Sequence, residues 1–212
     1  MSNEHLPKKI AVFPLSEAIF FPRTILPLNI FEKRYIQLVS DCMKSQRLFG
    51  MVQPKLKTNL KTEVYKVGCL GKITYFNETS DKRFLISLSG IVRFRIIKEL
   101  VTNKLYREFK VDYSDFMHDL DNQKIRKEQY DVEDLFNQIK LFFLKKNYLV
   151  KFNELEKLNF DQLISTICMI SPFSVVEKQK LIETNKMEEK IKVLGEIIKF
   201  NLVDNQKNKT IQ

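Results

Sequence analysis

Tryptophan is absent from this chain of 212 residues, while glycine occurs five times, cysteine three times and histidine twice. Each shortage removes a class of chemistry. With glycines only at 50, 68, 71, 90 and 195, neither a Gly-x-x-x-x-Gly-Lys-Ser/Thr phosphate loop nor a Gly-x-Gly-x-x-Gly dinucleotide turn can be written. His5 and His118 are the only imidazoles, so a Ser-His-Asp or Cys-His system would have to rest on one of them, and neither has ligand-spaced company for zinc. Cys42, Cys69 and Cys168 lie far apart, without a Cys-x-x-Cys pair. They are expected as buried thiols in a reducing, cytoplasmic compartment. Carboxylates in the second half, such as Glu188 and Glu189, read as helix-start and solvated-face groups. No catalytic residue, metal or cofactor is expected.

Long apolar runs are missing as well. Pro14 and Glu17 interrupt the run after Lys8 and Lys9 before it could act as a signal-peptide core, and "IKLFFLKKNYLV" is too short and too charged to span a bilayer. No membrane partner is expected. What the chain does contain is 44% hydrophobic residues, 17 phenylalanines and a formal charge of +10. That is enough apolar surface for one large or two small phenylalanine-rich cores. The charge is uneven: residues 1–118 hold 20 Lys+Arg against 11 Asp+Glu, and residues 119–212 hold 16 against 15. Such an asymmetry can mark a surface for nucleic acid or acidic protein, although scattered lysines also suit an ordinary solvated surface.

Hydrophobic periodicity splits the chain into two halves. From Lys9 to Tyr113 the period is mostly two, so "KIAVF", "ILPLNI", "LFGMVQ", "VYKVGCLGKITYFNE", "RFLISLSGIVRFRIIKEL" and "YREFKVDY" read as strands. Gly68, Gly71 and Gly90 fall where a curved sheet needs bends or bulges. One segment, "FEKRYIQLVSDCMKS", breaks the pattern: Tyr35, Leu38, Val39 and Cys42 recur at helical spacing and predict a single helix inserted into the sheet. After residue 118 the spacing turns helical. Val132, Leu135, Phe136, Ile139, Phe142 and Phe143 share one face, followed by Leu163, Ile164, Ile167 and Cys168, then by Ile191, Leu194, Ile197 and Ile198. Ser174 with Glu177, and Asn185 with Glu188, have capping-box spacing. The fold class is therefore α+β: a small curved sheet or barrel over residues 1–117, then an α-helical bundle over residues 118–212.

In order along the chain, "FPLSEAIFFPRTILPLNIFEKRYIQLV", "RLFGMV", "VGCLGKI", "LISLSGIVRFRI" and "SPFSVVEKQKLIETNKMEEKIKVL" resemble the amino-terminal, substrate-binding domain of the ATP-dependent Lon protease. The resemblance runs over residues 9 to 202. It implies a PUA-like curved sheet followed by a helical bundle, free-standing and without the ATPase and Ser-Lys protease modules. The family places glycine after "FP", where this chain has Arg23, and often in the turn before the "RF.I.L" strand, where it has Asp81 and Lys82. These departures bear on the local turn geometry and not on the fold. The matched residues Phe31, Glu32, Arg34, Tyr35, Gly68, Gly90, Arg93 and Phe94 read as structural: Phe31, Tyr35 and Phe94 as core, and Arg93 as held by Glu32, pinning the inserted helix to the sheet.

Three functions follow from these readings. The first is a non-catalytic module that binds unfolded or partner polypeptides in protein quality control, on the sheet or in a cleft beside it, by a groove or an added strand. Phe20, Phe21, Ile25 and Leu26 are its candidate contacts, because prolines would hold their segment outside regular pairing. A monomer or weak homodimer is expected. The second, since PUA-like folds occur in RNA-associated proteins, is nucleic-acid binding through Lys55, Lys57, Lys61, Lys66, Arg95 and Lys98, with Arg93 on the same strand face. The absence of tryptophan and of aromatics interleaved with the basic residues weakens it. The third, an enzyme, has no residue in its favour.

Overall fold

The computed structural model describes residues 6–16, 18–55, 63–121 and 132–207, with the main chain alone for 204–207. The chain divides into two compact units, Met1–Asn122 and Gln123–Gln212. The division falls after residue 122 instead of 117, because a 3₁₀ segment, Ser114–Leu120, stays with the sheet.

The first unit contains β1 (Lys9–Pro14), β2 (Ile25–Ile30), α1 (Lys33–Met43), β3 (Leu48–Val52), β4 (Val67–Glu78), β5 (Phe84–Leu100) and β6 (Arg107–Asp112). Strand order is β2-β5-β4-β3-β1-β6, and β6 returns to pair with β5, so five strands form a ring and β2 lies outside it. Only β1 and β3 run parallel; the other pairings are antiparallel. Ring closure depends on the 17 residues of β5. Its first part carries β2 on one side and β4 on the other, and its last part carries β6. Register shifts at Leu70/Gly71 and Ile73/Tyr75 in β4, and at Ile96/Lys98 in β5, supply the curvature that closure requires.

Two glycines allow backbones to meet. A Cβ on Gly90 would lie 2.0 Å from the Phe21 carbonyl oxygen, and one on Gly68 would lie 2.3 Å from that of Met51. Neither has positive φ, so space and not backbone freedom demands glycine there. Arg23 and Lys82 show the converse. Both keep the left-handed backbone, at φ 61° and 62°. The turn geometry usual for glycine at these places is thus retained by L-residues.

Tyr35, Leu38, Val39 and Cys42 bury one face of α1, and the Tyr35 ring stacks on Phe13 at 3.9 Å. A polar seam fixes the other contacts of this helix. Tyr106 Oη donates to Asp41 Oδ2 (2.8 Å), Leu105 N–H donates to Gln37 Oε1 (2.8 Å), and Lys104 Nζ bridges Tyr106 Oη (2.7 Å) and Glu108 (3.4 Å).

The second unit contains α2 (Glu133–Lys145), α3 (Phe152–Leu155), α4 (Phe160–Ile170), α5 (Val175–Glu183) and α6 (Met187–Lys207). Its core joins Leu135, Ile139, Phe142 and Phe143 with Ile164, Ile167, Cys168, Leu181, Leu194 and Ile198. Ile191 of the predicted face is only half-buried. Ser174 and Glu177 form the capping box at the start of α5. At the end of α2, Asn147 takes φ 57° while Tyr148 N–H reaches the Phe143 carbonyl (3.0 Å) and Asn147 N–H that of Leu144 (3.1 Å), a Schellman turn.

Candidate polypeptide-binding face

The segment before β2 runs inward. Phe20 and Phe21 are 2% and 0% exposed, with Ile19 equally covered, so the two phenylalanines are core and not surface contacts. The reason lies in the turn: Arg23 N–H donates to the Gly90 carbonyl (2.9 Å), Gly90 N–H donates to the Thr24 carbonyl (2.9 Å), and the side-chain-free Gly90 lets the Phe21 backbone sit directly on β5. Prolines here shape a packed entry; they do not loosen it. Ile25, the first residue of β2, is 61% exposed, and Leu26 is half-buried.

β2 is the edge strand of the three-stranded portion β2-β5-β4, and its register defines an outer face. Pro27 lies opposite Ser87, which lies opposite Tyr75; Asn29 lies opposite Leu85, which lies opposite Asn77. Side chains at directly opposed positions share a face. Ile25, Pro27, Tyr75 and Leu85 therefore point outward together, and all four are exposed. Phe31 continues this parity one residue beyond β2. It is 64% exposed, with the Arg83 guanidinium 5.9 Å from its ring centroid, so the expectation of a core Phe31 is corrected. Strand alternation alone sets Leu85 opposite in sense to Phe84 and Ile86, but it signals neither Tyr75, which lies past a register shift in β4, nor Arg83.

The open edge of β2 is poorly suited to strand addition. Because the Thr24 carbonyl faces β5, the alternation of main-chain groups turns Leu26, Leu28 and Ile30 toward β5 and leaves Ile25, Pro27 and Asn29 facing outward. Pro27 has no N–H to offer there. A ligand on this face would meet side chains first.

Arg93 is 1% exposed and is not held by Glu32. Its Nε donates to Asp119 Oδ2 (2.9 Å), its Nη2 to Asp119 Oδ1 (2.8 Å) and its backbone N–H to Oδ2 (2.9 Å), so one carboxylate takes a two-pronged clamp and a main-chain bond. The Phe116 ring lies 4.6 Å from the guanidinium carbon, and His118 Nε2 accepts from Nη2 at 2.9 Å. Glu32 instead binds Arg34 at 2.8 Å on the exposed start of α1, where Arg34 also lies over the Tyr35 ring at 4.5 Å. Tyr35 and Phe94 are buried. Arg93 thus fixes the 3₁₀ segment to β5, and α1 is fixed by its own seam through Asp41 and Gln37.

The cations of the nucleic-acid reading are dispersed or engaged. Arg95 pairs with Asp115 (2.8 Å) and Lys55 with Glu63 (3.6 Å), while Lys66 and Lys98 are exposed. Lys57 and Lys61 lie outside the described residues. The thiols are chemically quiet: all three are buried and none is bridged by a disulfide, and burial pushes Cys42 and Cys168 up to about 12. Among the described residues no three His, Cys, Asp or Glu side chains gather as a metal site, and no helix is long and apolar enough to cross a membrane.

A closed sheet with one inserted helix, followed by a helical unit, is the architecture of Lon amino-terminal domains. The crystal structure of a Lon N-terminal domain protein from Xanthomonas campestris shares it with a TM-score of 0.62 at 18% identity, over 88% of this chain and 96% of that one. The N-terminal domain of Mycobacterium avium complex Lon protease does so with a TM-score of 0.60 at 14% identity, over 91% and 98%. The chain belongs to the ATP-dependent protease La (LON) substrate-binding domain family, whose model matches residues 9–199. Among curated relatives, Lon protease 2 of Myxococcus xanthus is 24% identical over 115 residues, and the Lon protease of Dictyoglomus thermophilum 25% identical over 107 residues. These alignments cover 53% and 50% of this chain but 14% of each protease.

Proposed function

We propose that this chain is a non-catalytic polypeptide-binding module, whose β2-β5-β4 face receives apolar side chains of unfolded or partner polypeptides in protein quality control. The observation that carries this reading is the outward row of Ile25, Phe31, Tyr75 and Leu85 in a chain of the substrate-binding family. Monomeric proteins keep large contiguous apolar patches for binding, because leaving them in water is unfavourable. Pro27 at the open edge favours recognition by side chains over an added strand.

The test is fluorescence anisotropy of a labelled, weakly charged unfolded polypeptide at low and high salt, with single-stranded RNA as competitor. Binding is expected to survive high salt, to resist RNA, and to weaken about tenfold in the Ile25→Ser, Phe31→Ser double variant, equivalent to about 1.4 kcal/mol. Unchanged affinity in a still-folded double variant would overturn the assignment of this face. Loss with salt or displacement by RNA would overturn the polypeptide reading, because counterion release marks phosphate binding.

A further inference from the structure

A second exposed apolar surface lies wholly within the helical unit and goes beyond the reading above. Leu141 and Leu144 are one turn apart on the outer side of α2, opposite the buried Ile139, Phe142 and Phe143. The Schellman turn that ends the helix leads directly into Tyr148 and Leu149, which are exposed as well; Leu144 is 73% exposed and Leu149 fully so. The turn is well built, with the Tyr148 ring 6.5 Å from Phe143 inside, so these side chains stand on an ordered support.

Along the chain through this patch the charge has one sign. From Leu135 to Asn153 the sequence has Lys140, Lys145, Lys146 and Lys151 and no acidic residue, although residues 119–212 as a whole are close to balanced. Of the four, Lys140 alone has a carboxylate within ion-pair distance among the described residues, Glu156 at 3.6 Å. The Lys146 ammonium is 5.9 Å from the Phe142 ring centroid, and Lys145 and Lys151 are exposed. We infer that the end of α2 and its turn form a docking surface for an acidic, apolar polypeptide segment, whose hydrophobic side chains cover Leu141, Leu144 and Leu149 while its carboxylates meet Lys145, Lys146 and Lys151. The charge chooses the occupant: a basic or neutral segment would leave these ammonium groups unanswered. A bilayer is a poorer match, because four apolar side chains bent around a helix end offer little area for insertion.

The test uses the full chain and three labelled synthetic peptides of one length: leucine and phenylalanine interspersed with glutamate, the same with lysine for glutamate, and the acidic peptide with serine for its apolar residues. The acidic apolar peptide is expected to bind about tenfold or more tightly than either control. Leu144→Ser with Leu149→Ser, and separately Lys145→Gln with Lys146→Gln, each weaken it about tenfold without changing the thermal unfolding midpoint, because all are surface changes. Ile25→Ser with Phe31→Ser leaves it unchanged, so failure here is separable from failure of the β-face reading. Equal binding of acidic and basic peptides overturns the inference, as does indifference to the α2 variants. Tighter binding to phosphatidylserine vesicles than to the acidic peptide, lost in the same variants, overturns it in favour of a membrane surface.

Discussion

A guanidinium withdrawn from water must recover its hydrogen bonds inside the protein, and Arg93 does so mainly on one carboxylate. The pair is worth little relative to two well-packed apolar residues, yet removing one half is costly, since the remaining charge stays buried. Asp119→Ala is therefore expected to destabilise the first unit by about 3–5 kcal/mol, read as a shift of the urea midpoint. A loss below about 1 kcal/mol, the range of exposed ion pairs, would show that the clamp does not hold the 3₁₀ segment. Arg23 adds to the same attachment, since its Nη2 donates to the Asp119 carbonyl at 3.2 Å and to that of Asp121. That gives a physical reason for an arginine in a left-handed position that glycine would occupy more easily.

Among the elements, the β4–β5 hairpin shows what local chemistry can and cannot supply. Its loop closes with Lys82 N–H on the Thr79 carbonyl and Thr79 N–H on the Arg83 carbonyl, both 2.9 Å, the pattern of a three-residue hairpin loop that wants glycine at its left-handed position. Lys82 occupies that position, exposed and away from the core. Lys82→Gly is expected to raise stability by about 1 kcal/mol, checked by thermal unfolding; an unchanged or lower midpoint would mean that the lysine side chain compensates for its backbone. The strands, α1 and the helical faces could be read from sequence because their apolar residues repeat with a definite period. Ile19, Phe20 and Phe21 could not, since a run of consecutive apolar residues has no period to say which side is covered. Nor could the partner of Arg93. Asp119 stands 26 positions later in a 3₁₀ segment without amphipathic spacing, whereas Glu32 sat in a recognisable motif. Of the candidate face, Ile25 was legible, but Tyr75 depended on a bulge in β4 that only the register reveals.

Over the whole molecule, three phenols mark where the first unit closes: Tyr35 under α1, Tyr106 on Asp41, and Tyr113, whose Oη donates to the Pro7 carbonyl at 2.8 Å. Burial raises all three above the ordinary phenol value, Tyr106 to about 12. A folded-state value above the unfolded one stabilises the fold below pH about 10 and loses that contribution as pH rises through the folded values. Near pH about 11, the native chain should show less phenolate absorbance than the chain in denaturant; coincident curves would contradict the burial of these rings. The polar seam responds at the other extreme. Burial alone would raise Glu108, but hydrogen bonds from Lys9 and Thr102 and the Lys104 charge outweigh it and hold the carboxyl below its usual range. Its stabilising contribution is present above pH about 4.3 and fades as pH falls through the lowered value. The ring itself has a consequence for biosynthesis. Lys9–Pro14 leaves the ribosome long before Arg107–Asp112, one of its two flanking strands. Until that sixth strand is made, the nascent sheet has unpaired edges on β1 and on the far part of β5, and is open to wrong pairing with neighbouring chains. Chaperone cover therefore matters most during translation of the region before Arg107.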